Sequence, residues 1–412
     1  MEARSVRTVK VVDAVMGSGK SKGMIGWIND ISNRGRKFLI VTPYLTEVKR
    51  YREKCNCKPC EPQFTKDGNK HDNLMKLIEQ GYNIVTTHSL FLDFTVELAE
   101  LCWKHKYCLV IDEAPNIFST LKISKYDLKF LIQNFIELDA ECNRLRWKSE
   151  FADYDGRFND IKELCDMGAL VYSESTGVAY RSFPYEVFSC FRETYLLTYM
   201  FHGSLMQYFF DYHKIPYEMK SIGRDPETGD FYFGKWTKPV PTVNYRDLIH
   251  ICNNRKMNAI GDDFNALSKS WYMRANDEDL TTMKKHLKNY FINLHQSCSE
   301  RNLWTTYDKW KDHLSGRGYT KGFIALNKRA TNEYINCDCV AYTVNRFIDP
   351  YVKNFFVKAG VKVDEDAYAL SEMLQFIWRS AIRTGKPINL YIPSSRMRGL
   401  LEKWIEENSV PA

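Results

Sequence analysis

The sequence is poor in the features that mark membrane and exported proteins. It has no run of about 18 uncharged apolar residues, the length that a membrane-spanning helix needs. Residues 1–7 are rich in charge and lack the apolar segment of a secretory signal. We therefore expect a cytoplasmic protein that makes no contact with a membrane.

Paired C-x2-C motifs, which would indicate a zinc ribbon or finger, are also missing from the 12 cysteines. The one cluster is Cys55, Cys57 and Cys60, with the spacing C-x-C-x2-C. A zinc site there would need a fourth ligand, such as His71 or His88. Because the spacing is irregular, we predict a cysteine-rich surface loop and keep a metal site as the weaker alternative.

Short apolar runs alternate with helix-length segments along the chain. These runs span residues 8–14, 38–43, 83–87, 108–112 and 193–198, and then 302–307, 322–326, 339–343 and 388–392. Near-continuous apolar strands of this kind belong to parallel sheets that helices cover on both faces. With 44% hydrophobic residues, the composition is sufficient for large cores. The sequence therefore predicts an α/β fold with mainly parallel sheets.

The length of 412 residues suggests two or three domains. We predict a first domain over residues 1–214, in which 128–146 forms a long charged helix. A second domain spans 215–412 and contains a partly helical insertion around 225–300. A turn-rich segment at 223–230 predicts a hairpin. The net charge of +7 is compatible with a polyanionic partner but does not identify one.

The first candidate site is a glycine-rich loop between a predicted strand and a predicted helix. In such a loop, successive backbone N–H groups and the helix N-terminus face a phosphate. Lys20 would reach the β and γ phosphates, and the Ser21 hydroxyl would bind Mg²⁺. Alanine at position 14 departs from the strict phosphate-loop pattern. The residues predicted to hold the nucleotide are Gly17, Ser18, Gly19, Lys20 and Ser21.

The second candidate site is an acidic pair at the end of the buried strand 108–112. A nucleotide hydrolase places such carboxylates beside Mg²⁺ and the attacking water. Asp112 would bind the metal, and Glu113 would orient the water. Taken alone, such a pair could simply cap the next helix. Its position about ninety residues after the glycine-rich loop favours the catalytic interpretation.

A third candidate lies near the end of the chain. Gln375, Arg379 and Arg383 recur every four residues, which predicts one shared helical face. An arginine there could stabilise the charge that develops on a γ-phosphate, although a structural ion pair is the commoner role.

These motifs resemble those of the superfamily 2 helicases of the DEAD/DEAH type, and the sequence is similar to compact helicase-like proteins of bacteriophages and mobile elements. The resembling segments are motif I at 14–21, motif Ia at 41–44, a nucleic-acid-contacting motif at 86–91, motif II at 109–114, motif III at 196–201, motif IV at 304–307, motif V at 329–332 and motif VI at 375–383.

The resemblance implies two RecA-like domains, with a site for ATP and Mg²⁺ in the cleft between them. It implies a helicase or translocase that acts on single-stranded DNA, or alternatively on RNA. Phage or mobile-element DNA replication or recombination would be its setting, in the cytoplasm of a bacterial host. The residues expected to contact nucleic acid are Thr42, Tyr44, Thr87, His88, Thr305, Thr306 and Asn332.

The sequence departs from the family pattern in motif VI, where Arg379 and Arg383 are four residues apart instead of three. Either could be the catalytic arginine, and the distance from Gln375 favours Arg379. No adenine-reading motif precedes the loop, so the base preference stays open. The main alternative function is a nucleotide-gated loader or remodelling protein that acts with a replication protein. A small-molecule kinase is a weaker alternative.

Overall fold

The computed structural model describes residues 6–64, 69–139, 142–326 and 332–410, except the side chain of Asn332. The chain divides into two compact units. The N-terminal unit comprises the residues up to Thr237 together with Asp349–Val363, and the C-terminal unit comprises Lys238–Ile348 together with the residues from Asp364 onward. In these described ranges, no helix is both long and apolar enough to span a membrane.

The first 237 residues contain twelve strands and eight helices among the described residues. The strands are β1 (Val9–Asp13), β2 (Lys37–Thr42), β3 (Ile84–Thr87), β4 (Tyr107–Asp112), β5 (Phe118–Thr120), β6 (Ile136–Asp139), β7 (Arg144–Trp147), β8 (Leu170–Ser173), β9 (Val178–Ser182), β10 (Glu193–Thr198), β11 (Tyr217–Arg224) and β12 (Phe231–Lys235). The helices are α1 (Lys20–Asn29), α2 (Leu45–Lys54), α3 (Lys70–Glu79), α4 (His88–Leu92), α5 (Val96–Lys104), α6 (Lys125–Asn134), α7 (Asn159–Asp166) and α8 (Leu205–Tyr212).

The larger sheet of the N-terminal unit has the strand order β12-β11-β1-β10-β4-β2-β3. Neighbouring strands run parallel, apart from the antiparallel hairpin β11–β12. Every residue of β4 is buried, as expected for a central strand with helices on both faces. The predicted parallel sheet is therefore confirmed, and so is the hairpin at 223–230.

A second sheet in this unit is antiparallel, with the order β5-β9-β8-β7-β6. It replaces the long helix predicted over 128–146, which is wrong beyond Asn134. Burial alternates along β7, where Leu145 and Trp147 point inward and Arg146 is exposed. That alternation with period two is the pattern of a strand with one buried face. Leu128 and Leu131 of α6 pack into the same core.

The rest of the chain contributes α9 (Tyr245–Leu248), β13 (Ile249–Ile251), α10 (Arg255–Asn258), α11 (Lys269–Arg274), α12 (Asp277–Lys288), β14 (Asn302–Thr305), α13 (Lys311–Leu314), β15 (Cys339–Tyr342), α14 (Pro350–Lys358), α15 (Glu365–Ile377), β16 (Ile388–Tyr391) and α16 (Ser395–Asn408). The sheet of the C-terminal unit is parallel, in the order β13-β16-β15-β14. The strand predicted at 322–326 is wrong, because only Phe323 makes an isolated bridge, to Trp304 of β14.

The predicted domain boundary at 214 falls between α8 and β11, inside the N-terminal unit. The chain continues into the sheet there, since the N–H of Val9 donates to the carbonyl of Pro216 at 2.8 Å. Helix α14 also belongs to this unit, although it comes from the second half of the sequence. Its Phe355 ring lies 4.8 Å from Phe118 of β5 and 5.0 Å from Tyr180 of β9, between ring centroids.

Candidate nucleotide-binding site

The predicted strand–loop–helix arrangement at 13–21 is present. Strand β1 ends at Asp13, and α1 begins at Lys20. Between them, Gly17 has φ 85° and Gly19 has φ 92°. Both are left-handed conformations that glycine adopts without the steric cost that other residues meet. The two glycines therefore bend the loop back over the N-terminus of α1.

Polar groups gather inside this loop. The Lys20 ammonium donates to the carbonyl of Ala14 and to that of Val15, the latter at 3.1 Å. The Ser18 hydroxyl is buried, and within the described residues it has no hydrogen-bond partner. Buried polar groups in proteins are nearly always satisfied. The Lys20 ammonium and the Ser18 hydroxyl are therefore both available in this loop as hydrogen-bond donors to a phosphate oxygen.

Asp112, at the end of β4, lies beside the start of α1. Asp112 is only 5% exposed, its carboxyl accepts a hydrogen bond from the Tyr51 hydroxyl at 3.0 Å, and the Ser21 hydroxyl lies close enough to lower its pKa. Burial raises the pKa of Asp112 to about 6, and the nearby Glu113 charge adds to the rise. The two hydroxyls act in the opposite direction, because they stabilise the ionised form.

The pairing of Ser21 with Asp112 fits the predicted magnesium site. Hydroxyl and carboxylate oxygens are the hard ligands that Mg²⁺ prefers, and Mg²⁺ commonly takes one or two carboxylates together with phosphates and waters. No cluster of three His, Cys, Asp or Glu side chains that could hold a metal occurs in the described part of the chain. Cys55, Cys57 and Cys60 are among these residues and form no such cluster. Cys55 is buried, unlike a residue of a surface loop, whereas Cys57 and Cys60 are partly exposed.

Glu113 follows Asp112 with φ 64°, an unusual conformation for a side chain of this size. Its N–H donates to the carbonyl of Leu197 at 2.9 Å, which ties the end of β4 to β10. Backbone strain of this kind concentrates at functional sites. The predicted acidic pair lies where β4 ends, at the same end of the parallel sheet as the glycine-rich loop that follows β1.

Asp13 is a member of this site that the sequence did not indicate. Its carboxylate accepts the backbone N–H groups of Met200 at 2.8 Å and Phe201 at 2.9 Å. Burial raises the pKa of Asp13, while these two hydrogen bonds and the Lys20 charge lower it. Asp13 thus connects the start of the loop to the segment assigned to motif III. The only local signal was its place at the end of a buried strand.

The predicted nucleic-acid contacts in the N-terminal unit are divided between the interior and the surface. Thr42 is buried, and its hydroxyl donates to the carbonyl of Tyr44 at 3.2 Å. His88 is also buried, with Nε2 3.0 Å from the carbonyl oxygen of Asp112. Tyr44 and Thr87 are partly exposed at the ends of β2 and β3. Of these four residues, Tyr44 and Thr87 are the two that are partly exposed, and the Tyr44 hydroxyl is itself buried.

In the C-terminal unit, Thr305 and Thr306 are both fully buried. The Thr305 hydroxyl donates to the carbonyl of Ile324 at 2.6 Å, so it stabilises the interior of the unit. Asn332 begins the short 3-10 turn Asn332–Tyr334. Its side chain and residues 329–331 of the predicted motif V lie outside the described residues.

The helical face predicted for Gln375, Arg379 and Arg383 is wrong. Helix α15 contains Gln375 but ends at Ile377, and two tight turns follow. Arg379 is in those turns and is 4% exposed, with its guanidinium 5.8 Å from the centroid of the Phe376 ring. Arg383 is partly exposed in the 3-10 turn Ala381–Thr384. The three side chains therefore do not form one stripe.

Comparison with known families gives two matches, both to parts of one protein family. The YonV C-terminal Rossmann-like domain matches residues 243–405, and the YonV middle domain matches residues 118–179. The second range coincides with most of the antiparallel sheet β5–β9. The SPbeta prophage-derived protein YonV of Bacillus subtilis (strain 168) is 38% identical over 417 residues, covering 97% of this chain and 98% of that protein.

Among solved structures, S. tokodaii Xpd4 is similar along 98% of this chain and 96% of its own, with a TM-score of 0.50 and 12% identity. The DUF1998 helicase MrfA, bound to DNA and AMPPNP, matches 98% of this chain and 49% of its own at 10% identity; its TM-score of 0.33 is too low to support an argument. At such identities a likeness shows the fold alone. The chain therefore has an α/β fold with mainly parallel sheets, which it shares with Xpd4, and its C-terminal part matches a Rossmann-like domain.

Proposed function

The chain belongs to the YonV family, and from this premise and the geometry at α1 we propose that it is a nucleic-acid-dependent ATPase. It acts as a helicase or translocase on single-stranded DNA, with RNA as the alternative substrate. The observation on which the proposal rests is the arrangement of Lys20, Ser18 and the Ser21–Asp112 pair. Together they supply donors for phosphate and ligands for a metal at one edge of the sheet.

Each of these side chains has a distinct task in the proposed reaction. Lys20 and the first N–H groups of α1 bind the β and γ phosphates, and Ser21 and Asp112 hold Mg²⁺. When bound, Mg²⁺ neutralises charge on the phosphates and so favours attack by water. Glu113 orients that water and accepts its proton. Its position directly after Asp112 is consistent with this role.

The proposed reaction also requires an arginine that stabilises the charge developing on the γ-phosphate. Arg379, four residues after Gln375, remains our candidate, and Arg383 is the alternative. Because Arg379 is almost fully buried, this role requires the turn after α15 to rearrange. Arg383 is already partly exposed and requires less change.

Nucleic acid binds, in this proposal, across the segment between β2 and α2 and the end of β3, where Tyr44 and Thr87 are partly exposed. The small hydroxyl of Thr87 suits a contact with the phosphate backbone, which positions a strand without selecting its sequence. The relative in the SPbeta prophage supports a phage or mobile-element setting, and within that setting we propose DNA replication or recombination as the process. The protein would then work in the bacterial host cytoplasm beside a replication protein.

The proposal is tested by ATPase rates with and without single-stranded DNA or RNA. We expect nucleic acid to raise the rate, and Lys20→Ala to reduce kcat/KM on the order of 100-fold, the usual effect of removing one charge-stabilising donor. Lys49→Ala changes an exposed lysine of α2 and is the matched control. Activity that is indifferent to nucleic acid would contradict the motor, and activity that survives Lys20→Ala would contradict the site.

A strand-displacement assay separates the helicase from the loader or remodelling protein. ATP-dependent displacement of a duplex oligonucleotide supports a helicase. Nucleic-acid-stimulated hydrolysis without displacement supports a translocase, loader or remodelling protein.

A further inference from the structure

The hairpin β11–β12 places an aromatic ring directly against the glycine-rich loop. A side-chain carbon at Gly19 would collide with Cε1 and Cζ of Phe231, and one at Gly23 would lie 2.9 Å from the Phe231 Cβ. Both glycines therefore leave room for this one phenylalanine. Since β11 pairs with β1 in the parallel sheet, the hairpin is anchored to the same strand that leads into the loop.

Two cations lie beside the Phe231 ring. The Lys22 ammonium is 5.5 Å from the ring centroid, and the Arg224 guanidinium is 5.8 Å from it. Arg224 is opposite Phe231 in the hairpin register, and its Nε donates to the carbonyl of Gly229 at 3.0 Å. Cations over an aromatic ring are attracted to it, and both can also meet an anionic ligand.

Neighbouring residues of β12 differ from Phe231 in their surroundings. Phe233, on the same face of the strand, packs with Tyr195 against the main core of the unit. Tyr232 points to the opposite face and is 56% exposed. Phe231 is half-buried, as Phe233 is, but its ring lies at the first turn of α1. The ring therefore packs against the glycine-rich loop without the residue being fully buried.

We propose that Phe231 is the base subsite of the nucleotide site, and that it selects purine nucleoside triphosphates as a class. The proposal rests on the function proposed above, because the loop must hold the triphosphate. The base then stacks on Phe231, and Lys22 and Arg224 face the sugar and the α-phosphate. Stacking favours the larger purine ring, whereas a phenyl ring has no hydrogen-bonding group with which to separate adenine from guanine.

Equilibrium binding by calorimetry tests the subsite without requiring hydrolysis. The ligands are ATP, GTP, CTP, UTP and inorganic tripolyphosphate, each with Mg²⁺. For the wild type we expect similar Kd values for ATP and GTP, and about tenfold weaker binding of the pyrimidine nucleotides and tripolyphosphate, which corresponds to about 1.4 kcal/mol.

The Phe231→Ala variant should lose this preference while it binds tripolyphosphate as the wild type does. Phe231→Trp should retain the preference, because it keeps an aromatic surface. Tyr232→Ala is the matched control, since it changes the other face of the same strand and should leave all five Kd values unchanged. Circular dichroism of each variant verifies that the fold is kept.

Three results would overturn the base subsite. Phe231→Ala would weaken tripolyphosphate as much as ATP if the ring only supports the loop. An unchanged preference in Phe231→Ala would place the base elsewhere, and a wild type that strongly separates ATP from GTP would require hydrogen-bonding residues.

Lys20→Ala separates the two proposals, because it should abolish binding of every ligand, tripolyphosphate included. A wild type that binds none of the five ligands would refute both.

Discussion

At the scale of single residues, burial and hydrogen bonding act on the Asp112 carboxyl in opposite directions. Burial raises its pKa to about 6, and the hydroxyls of Ser21 and Tyr51 limit the rise. A carboxylate must be ionised to hold a metal. The active form is therefore the one present above this pKa, and kcat/KM, which reports ionisation of the free enzyme, should fall as the pH falls through about 6.

Tyr51→Phe removes the O–H group that donates to Asp112 Oδ2. Because the lost bond favoured the ionised carboxylate, the pKa of Asp112 should rise, and the acid limb of kcat/KM should move to higher pH by up to about one unit. Rates measured from about pH 5 to about pH 9 give this limb. Tyr107→Phe is the control, since Tyr107 is buried in the same unit and donates to the carbonyl of Tyr82. An acid limb at the wild-type position in Tyr51→Phe would show that this bond does not tune the site.

The sequence could indicate only those site residues whose signal is local. Lys20 and Ser21 follow two glycines, and Asp112 ends an apolar run, so short patterns suffice. Tyr51 and Asp13 act through partners 61 and 187 residues away, respectively. Neither has a neighbouring pattern that suggests such a partner. Their contacts depend on the order of strands in the sheet, which a single sequence does not specify.

At the scale of secondary-structure elements, the spacing of polar residues was a poor guide to the end of a helix. Gln375, Arg379 and Arg383 have helical spacing, yet α15 stops at Ile377. Neither glycine nor proline marks that end in the sequence. The chain instead leaves the helix because the N–H of Ala381 donates to the carbonyl of Cys337 at 2.9 Å. A tertiary contact therefore overrides local propensity.

The same limit explains the middle sheet. The segment 128–146 is charged and contains leucines, so its composition favours a helix. Strands β6 and β7 form because their apolar residues, such as Leu145 and Trp147, meet the core built by α6 and α7. By contrast, the parallel strands of the larger sheet were predictable, since buried β-branched runs such as β1 and β4 have few alternatives.

One carboxylate joins two elements beside the loop. Asp13 ends β1 and accepts the N–H groups of Met200 and Phe201, which follow β10. Asparagine has a single acceptor oxygen, so Asp13→Asn leaves one of these groups unsatisfied. We expect the free energy of unfolding to fall by about 1–3 kcal/mol, as measured by urea denaturation. Asp93→Asn, at an exposed ion pair with Arg181, should change it by less than about 1 kcal/mol. Equal effects of the two variants would show that Asp13 does not hold this turn.

At the scale of the whole molecule, the chain passes between the two units three times, at 237/238, 348/349 and 363/364. The second and third crossings exist because α14 is part of the N-terminal unit. Phe355 and Phe356 of α14 both lie 4.8 Å from Phe118 of β5, between ring centroids. The fold of the N-terminal unit therefore depends on a segment that is made after most of the C-terminal unit.

Replacing Phe355 tests whether this late segment stabilises the N-terminal unit. Its ring is 7% exposed and contacts Phe118, Tyr180 and Tyr212. Phe355→Ala removes that packing and leaves a cavity, so the free energy of unfolding should fall by about 3–5 kcal/mol. Val357→Ala, on the same helix but 50% exposed, should change stability by no more than about 0.5 kcal/mol. Urea denaturation followed by tryptophan fluorescence measures both. If α14 is only attached to the unit without stabilising it, the two variants will unfold at the same urea concentration.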